Sequence, residues 1–200
     1  MLAGQTLKVA AFLASKAPDA APRLPDRPGT ELPLVTLLVP LFHERDIAGA
    51  LLHRLLALRY PRDRLEVLMI LEADDDQTRH ALSQVTLPQW VRVIDVPEGT
   101  VRTKPRAMNY AITFARGEIV GIYDAEDAPA PDQIEQVVSR FAEDPDIDCL
   151  QGILDYYNPG ANWLSRCFTI EYSVWFRLLL PGLVRMGLAI PLGGTTVFTK

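Results

Sequence analysis

The chain has 200 residues, enough for one domain with a substantial core and short for two. Its 48% hydrophobic and 22% charged residues exclude a disordered or fibrous chain. The net charge of −5 argues against nucleic acid as a partner, and two cysteines, Cys149 and Cys167, are too few for a disulfide scaffold.

The opening residues, MLAGQTLKVAAFLASK, have a short apolar core broken by Gln5, Thr6 and Lys8. That pattern predicts a short amphipathic helix rather than a secretory signal. Five prolines (Pro18, Pro22, Pro25, Pro28 and Pro33) then predict an extended linker over 18–33. Residues 1–33 therefore read as an N-terminal segment and linker, and 34–200 as the folded part. LVTLLVP at 34–40 is an unbroken apolar run, as a strand buried on both faces requires. Asp46 is placed to cap a helix reaching Leu58, with Ile47, Leu51, Leu55 and Leu58 at helical spacing.

Further strands are expected at 65–71, 91–96, 118–123 and 147–154, and helices at 76–85, 103–116 (with Gly117 as C-cap), 131–142 and 161–180. No run reaches the roughly 18–20 clean apolar residues of a spanning helix. The nearest, 172–192, is interrupted by Arg177, Pro181, Gly182 and Arg185. It reads either as a buried helix with a turn, or as an amphipathic helix on a membrane surface with Trp175 and Phe176 toward lipid. Strands alternating with helices predict an α/β fold: a mostly parallel, Rossmann-like sheet with helices on both faces and ligands at the carboxyl ends of the strands.

The residues after the strands carry the chemistry. Tyr123-Asp124-Ala125-Glu126-Asp127 sets three carboxylates in four positions, which repel unless a cation or solvent separates them. In extended backbone Asp124 and Glu126 project to one side, suiting a hard divalent ion that bridges to a diphosphate. A solvated acidic loop ahead of a helix capped by Asp132 is the competing reading. Thr103-Lys104-Pro105-Arg106 puts two cations at a helix start, where the dipole disfavours them unless a phosphate compensates; plain surface charge is the alternative. Glu72-Ala73-Asp74-Asp75-Asp76 offers acceptors for a base or ribose, with Asp76 also suited to cap the next helix. His43, His53 and His80 lack metal-ligand spacing, and no dinucleotide, P-loop or nucleophile-elbow motif occurs.

In order and spacing these motifs resemble the family 2 glycosyltransferases, in particular the bacterial membrane-associated branch that includes cellulose-synthase-like enzymes. The resemblance runs from Leu34 to the end of the chain. It implies a GT-A-like fold, a nucleotide-sugar donor that is UDP-linked, and a saccharide or lipid acceptor. It further implies a divalent cation, magnesium or manganese, and inversion at the sugar carbon. By that likeness Pro40 and Glu44 line the nucleotide pocket and Glu72 meets the base. Lys104 and Asn109, in Lys-x-x-Ala-x-Asn, lie beside the nucleotide. Asp124 contacts nucleotide and metal, and Glu126, standing for the second Asp of Asp-x-Asp, binds the metal. Gln151, Gly194 and Thr195 fall where the acceptor is bound.

The family's Thr-Glu-Asp base and Gln-x-x-Arg-Trp motif do not occur in this chain. Asp155 is the nearest late acidic residue, and no general base is assigned. The likeness leads us to expect the front part of a larger enzyme, truncated on its C-terminal side, whose parent works at the cytoplasmic face of the bacterial inner membrane. A nucleotide-binding or assembly module without turnover remains open, as does, less favoured, a nucleotidyltransferase.

Overall fold

A computed structural model describes residues 2–15, 32–44, 47–155 and 159–200. Most of the expected linker, the expected cap Asp46, and Tyr156 and Tyr157 lie outside the described residues. In chain order the elements are α1 (Leu2–Ser15), β1 (Val35–Leu41), α2 (Ile47–Ala57), β2 (Leu65–Glu72), α3 (Asp76–Ser83), β3 (Val91–Val96) and α4 (Lys104–Ala111). They continue with β4 (Ile119–Ile122), α5 (Gln133–Glu143), β5 (Cys149–Gln151), α6 (Trp163–Val174), α7 (Leu180–Arg185) and β6 (Val197–Thr199). The chain divides into two units, Pro22–Leu150 with Gly194–Lys200, and Met1–Ala21 with Gln151–Gly193.

Among the described residues six strands form one sheet in the order β3-β2-β1-β4-β6-β5. The β1–β2, β2–β3 and β1–β4 pairings are parallel, and β6 runs antiparallel to β4. The strand period of two sorts the core onto the two faces. Val35, Leu37, Val39 and Leu41 of β1 pack with Leu51, Leu55 and Leu58 and with Ile134, Val138 and Phe141 of α5. Leu38 joins Leu68, Ile70 and Ile94 on the other face, under Ala107 and Ala111 of α4. Helices thus cover both faces, as the apolar runs of β1 and β2 require.

Several expectations are corrected. β6 was not foreseen: it is three residues long and follows a Gly-Gly pair. It fits because Gly121 sits opposite Phe198, where a Cβ would come within 2.5 Å of the Phe198 ring. β5 is shorter than expected. Gly117 is not a helix cap: α4 ends at Ala111 and a 3-10 turn, Ile112–Phe114, follows. Gly117 is instead where the chain presses against β1, its N–H donating to Thr36 Oγ1 at 2.9 Å and a Cβ there meeting the Thr36 nitrogen at 2.5 Å. Asp75, not Asp76, caps α3, accepting from the Thr78 N–H at 3.0 Å. Asp132 stands at the start of α5 without a capping bond, its carboxylate 3.5 Å from Arg59.

In the smaller unit no turn forms at Pro181-Gly182. The helix runs through it, because a widened π-type segment, Trp175–Leu179, precedes the proline and relieves the clash its ring makes with the preceding turn. The run Trp163–Arg185, 23 residues, is long and apolar enough to cross a membrane by length and composition. α1 lies on α7 through Ala11, Leu180 and Leu183. Arg185 donates to the carbonyls of Ala14 (3.2 Å) and Ser15 (2.5 Å), satisfying α1's last acceptors. Val9, Leu13, Trp163, Leu164, Ile170 and Val184 are exposed in this unit.

Candidate functional site

From β1 the sheet steps to β2 and β3 on one side and to β4 on the other, so β1 and β4 bracket the point where the strand order reverses. In open α/β sheets a crevice opens beyond the carboxyl ends at such a point. Here it holds ≈ 360 Å³, and Pro40, Glu44, Glu72, Lys104, Asp124 and Glu126 all line it.

The β1 side of the crevice is held from α3. Asp75, buried, accepts from the His43 N–H at 2.8 Å as well as from Thr78. Thr78 Oγ1 accepts from the Glu44 N–H at 2.9 Å, and Gln77 donates to the His43 carbonyl at 3.1 Å. These bonds hold the turn in which His43 takes φ 57°, a left-handed backbone that non-glycine residues rarely adopt. Burial alone would raise the Asp75 carboxyl. The hydrogen bonds from Thr78 and His43 outweigh it and hold the group below 3.8.

The β4 side is a tight turn. The Asp127 N–H donates to the Asp124 carbonyl at 3.1 Å, and the Asp127 carboxylate accepts from the Asp124 N–H at 2.8 Å. The backbone at 124–127 is therefore not extended, and the pleat is not what sends Asp124 and Glu126 to the same crevice; the turn is. Asp127 points inward and accepts from the Thr195 hydroxyl. Burial pushes its carboxyl above 3.8, with the charges of Asp124 and Glu126 adding to the effect.

Thr195 also accepts from the Asp124 N–H at 3.0 Å, and the Gly194 carbonyl accepts from Lys104 Nζ at 3.0 Å. Thr196, at φ 53°, carries the chain from there into β6. Gln151 belongs to the smaller unit, where its side-chain oxygen accepts from the Gly193 N–H at 2.6 Å.

The cations at the start of α4 are compensated by protein carboxylates. Lys104 pairs with Asp124, Arg102 with Asp74, and Arg106 with Glu72 at 3.2 Å. Arg106 also donates to the Pro97 carbonyl, and a Cβ at Gly99 would strike its guanidinium, so the β3–α4 loop wraps the Arg106–Glu72 pair. Asn109 stands exposed on α4 and does not line the crevice. Arg106, Asp75 and Asp127 went unassigned in the sequence. The only signal was their charge within motifs already singled out, since their partners come from other elements.

Among the described residues no three His, Cys, Asp or Glu side chains converge as a metal cage. Of the four carboxylates that line the crevice, the neighbouring pair Asp124 and Glu126 nevertheless fits a hard divalent ion of the magnesium type, which takes one or two protein carboxylates and completes its shell with phosphate oxygens and water.

Residues 33–200 match the family model described as Glycosyltransferase like family 2. A beta-monoglucosyldiacylglycerol synthase of Synechocystis sp. is 31% identical over 153 residues, covering 74% of this chain and 32% of that protein. A probable glycosyltransferase, YdaM, of Bacillus subtilis is 25% identical over 154 residues, 76% of this chain and 36% of that one. The chain thus spans about a third of the length of these curated relatives. Among solved structures, a Pyrobaculum calidifontis mannosyltransferase in complex with GDP-Man and Mn2+ superposes with a TM-score of 0.53 at 31% identity, over 77% of this chain and 48% of that one. S. aureus TarS 1-349, in complex with UDP-GlcNAc, shares the fold with a TM-score of 0.52 at 22% identity, over 64% of this chain and 36% of that one. The sheet described above is accordingly that of the GT-A glycosyltransferases.

Proposed function

The chain belongs to glycosyltransferase-like family 2, and on that footing we propose that it forms the donor-binding part of an inverting transferase. The donor is a nucleoside-diphosphate sugar, UDP-linked in the first instance, and the acceptor a saccharide or a lipid. The observation that carries this reading is the crevice at the strand reversal, which Glu72, Lys104, Asp124 and Glu126 all line. We assign the nucleotide-sugar part to residues 34–200 and the N-terminal segment and linker to 1–33.

Glu72 accepts a hydrogen bond from the base, its carboxylate fixed by Arg106. Pro40 and Glu44 close the nucleotide side. Asp124 and Glu126 would hold a magnesium or manganese ion, which would supply Lewis-acid stabilisation of charge on the departing diphosphate. Lys104 adds positive charge to the same oxygens. The acceptor hydroxyl attacks from the opposite face of the sugar, with Gly194 and Thr195 on the acceptor side. No residue of this chain is given the role of general base; Asp155 is paired with Arg177.

The exposed apolar side chains of the smaller unit, together with five basic residues (Lys8, Lys16, Arg166, Arg177, Arg185) against three acidic ones (Asp19, Asp155, Glu171), support contact with a membrane surface. We place that surface at the cytoplasmic face of the bacterial inner membrane.

Calorimetric titration with UDP and with GDP, each with and without manganese, tests the reading. Manganese-dependent UDP binding is expected. Binding indifferent to manganese, or none at all, overturns the site. Release of sugar from a UDP-sugar separates a transferase from a module that only binds.

A further inference from the structure

The turn that carries Asp124 and Glu126 is held from outside the crevice by one side chain that no motif includes. Arg54 lies on α2, one residue before Leu55, which with Leu51 and Leu58 is buried in the core beneath β1. Its Nη1 donates to the Glu126 carbonyl at 2.9 Å and stands 3.4 Å from the carbonyls of both Ala125 and Asp127. Three successive backbone acceptors thus converge on one nitrogen, from residues 71 to 73 positions away in sequence. Among the described residues the Arg54 guanidinium pairs with no carboxylate: it is committed to backbone oxygens and leaves Asp124 and Glu126 their charge.

The same turn is closed internally by Asp127, as described above, and Ala125 is buried at its centre. Asp127 ties the turn's two ends to each other, whereas Arg54 ties its outer carbonyls to a helix anchored in the core. With the carbonyls of 125–127 drawn toward α2, the Asp124 and Glu126 side chains are left to line the crevice. A guanidinium suits this task, because its donors are fixed in a plane and less freedom is lost per bond than with an ammonium.

We propose that Arg54 is a positioning residue for the cation–diphosphate site, fixing the 124–127 turn so that both carboxylates reach the same ion. This rests on the functional reading above and goes beyond it in assigning a role to α2.

The test uses the full chain and three probes: manganese with UDP, uridine alone, and a urea unfolding curve. Manganese is followed by its electron paramagnetic resonance signal, which falls as the ion is bound, so no turnover is needed. Arg54→Met keeps the apolar stem and removes the donors. It is expected to weaken manganese–UDP binding about tenfold while uridine affinity stays within about twofold. Arg54→Lys restores part of the loss, because an ammonium still reaches carbonyls from that helix. Asp124→Asn is measured alongside. If Arg54→Met binds manganese–UDP like the unaltered chain while Asp124→Asn does not, the role of Arg54 is wrong and the site stands. If Arg54→Met loses uridine and manganese–UDP equally, or if Arg54→Lys does no better than Met at the same folded fraction, Arg54 is merely structural and the proposal falls. If the unaltered chain does not bind manganese–UDP, the functional reading fails and takes this one with it.

Discussion

The ammonium of Lys104 closes on the carboxylate of Asp124 and reaches the Gly194 carbonyl at 3.0 Å, so one side chain from the start of α4 bridges the end of β4 and the segment entering β6. An incoming diphosphate brings negative charge to the place this ion pair occupies. Lys104→Ala should therefore weaken UDP binding about tenfold, ~1.4 kcal/mol, and leave uridine within about twofold. Calorimetry with the two ligands checks this. Equal losses for both would remove Lys104 from the diphosphate.

Asp124 and Glu126 carry the cation in our reading, and each is replaceable by a neutral isostere. Asp124→Asn or Glu126→Gln should cut manganese-dependent UDP affinity more than tenfold, on the order of 1.4 kcal/mol or more. Affinity without manganese should change far less. An undiminished manganese effect in both variants would mean that the ion, if it binds, is held elsewhere.

The sheet could be read from the sequence because its signal is local. Four of the strands fall on β-branched apolar runs, and Gly, Pro and Asp punctuate the helices between them. What escaped is set by contacts across the chain. β6 has too few residues to show a period, and its place depends on the room Gly121 leaves for Phe198. Gly117 looks like a helix cap in sequence, yet serves a close approach to Thr36 that no local pattern encodes. Of the residues in the sequence motifs, Lys104 and Glu72 line the crevice and Asn109 does not, because five residues along a helix carry a side chain well round from the first. Arg54 and Arg106 act on residues 72 and 34 positions away, and only the folded chain brings those partners together.

Gly182 offers a test of the smaller unit with opposed expectations. Replacing a helical glycine by alanine ordinarily stabilises a helix by roughly 0.5–1 kcal/mol. Here a Cβ would lie 2.0 Å from the Ala11 carbonyl oxygen and 2.5 Å from its carbon, and backbone cannot step aside as a side-chain tip can. Gly182→Ala should therefore loosen α1 from α7, with α1 amides exchanging at least about tenfold faster with deuterated solvent, ~1.4 kcal/mol of lost protection. Slower exchange in the variant would show that helix propensity prevails and that α1 is not held by this contact.

Glu66 ties the stability of the fold to pH on the acid side. It is 1% exposed and lies across from Thr36 in the β1–β2 register. Its carboxylate accepts from Thr36 Oγ1 (2.9 Å), Arg92 Nη1 (2.8 Å), Arg116 Nε (2.8 Å) and the Arg116 N–H (3.1 Å). Burial alone would raise this carboxyl; the hydrogen bonds from Thr36, Arg116 and Arg92 overcome it and hold the group below 4.5 in the folded chain. The folded state thus binds this proton less readily than the unfolded state. The stability Glu66 contributes is fully present above the unfolded value and is lost as the pH falls through the lower folded one. Glu66→Gln keeps the shape and removes the charge, and at neutral pH should cost about 1.5–3 kcal/mol, the range for hydrogen bonds to a charged group. As the pH falls below 4.5 and on through the lower folded value, the unaltered chain should approach the variant, since only past that value does it too carry a neutral group. Urea unfolding midpoints for both proteins, taken from neutral pH down into the acid range, measure the gap. A gap that stays constant through that range would mean that the Glu66 charge contributes nothing and that the loss comes from an amide NH2 standing where a carboxylate oxygen accepted.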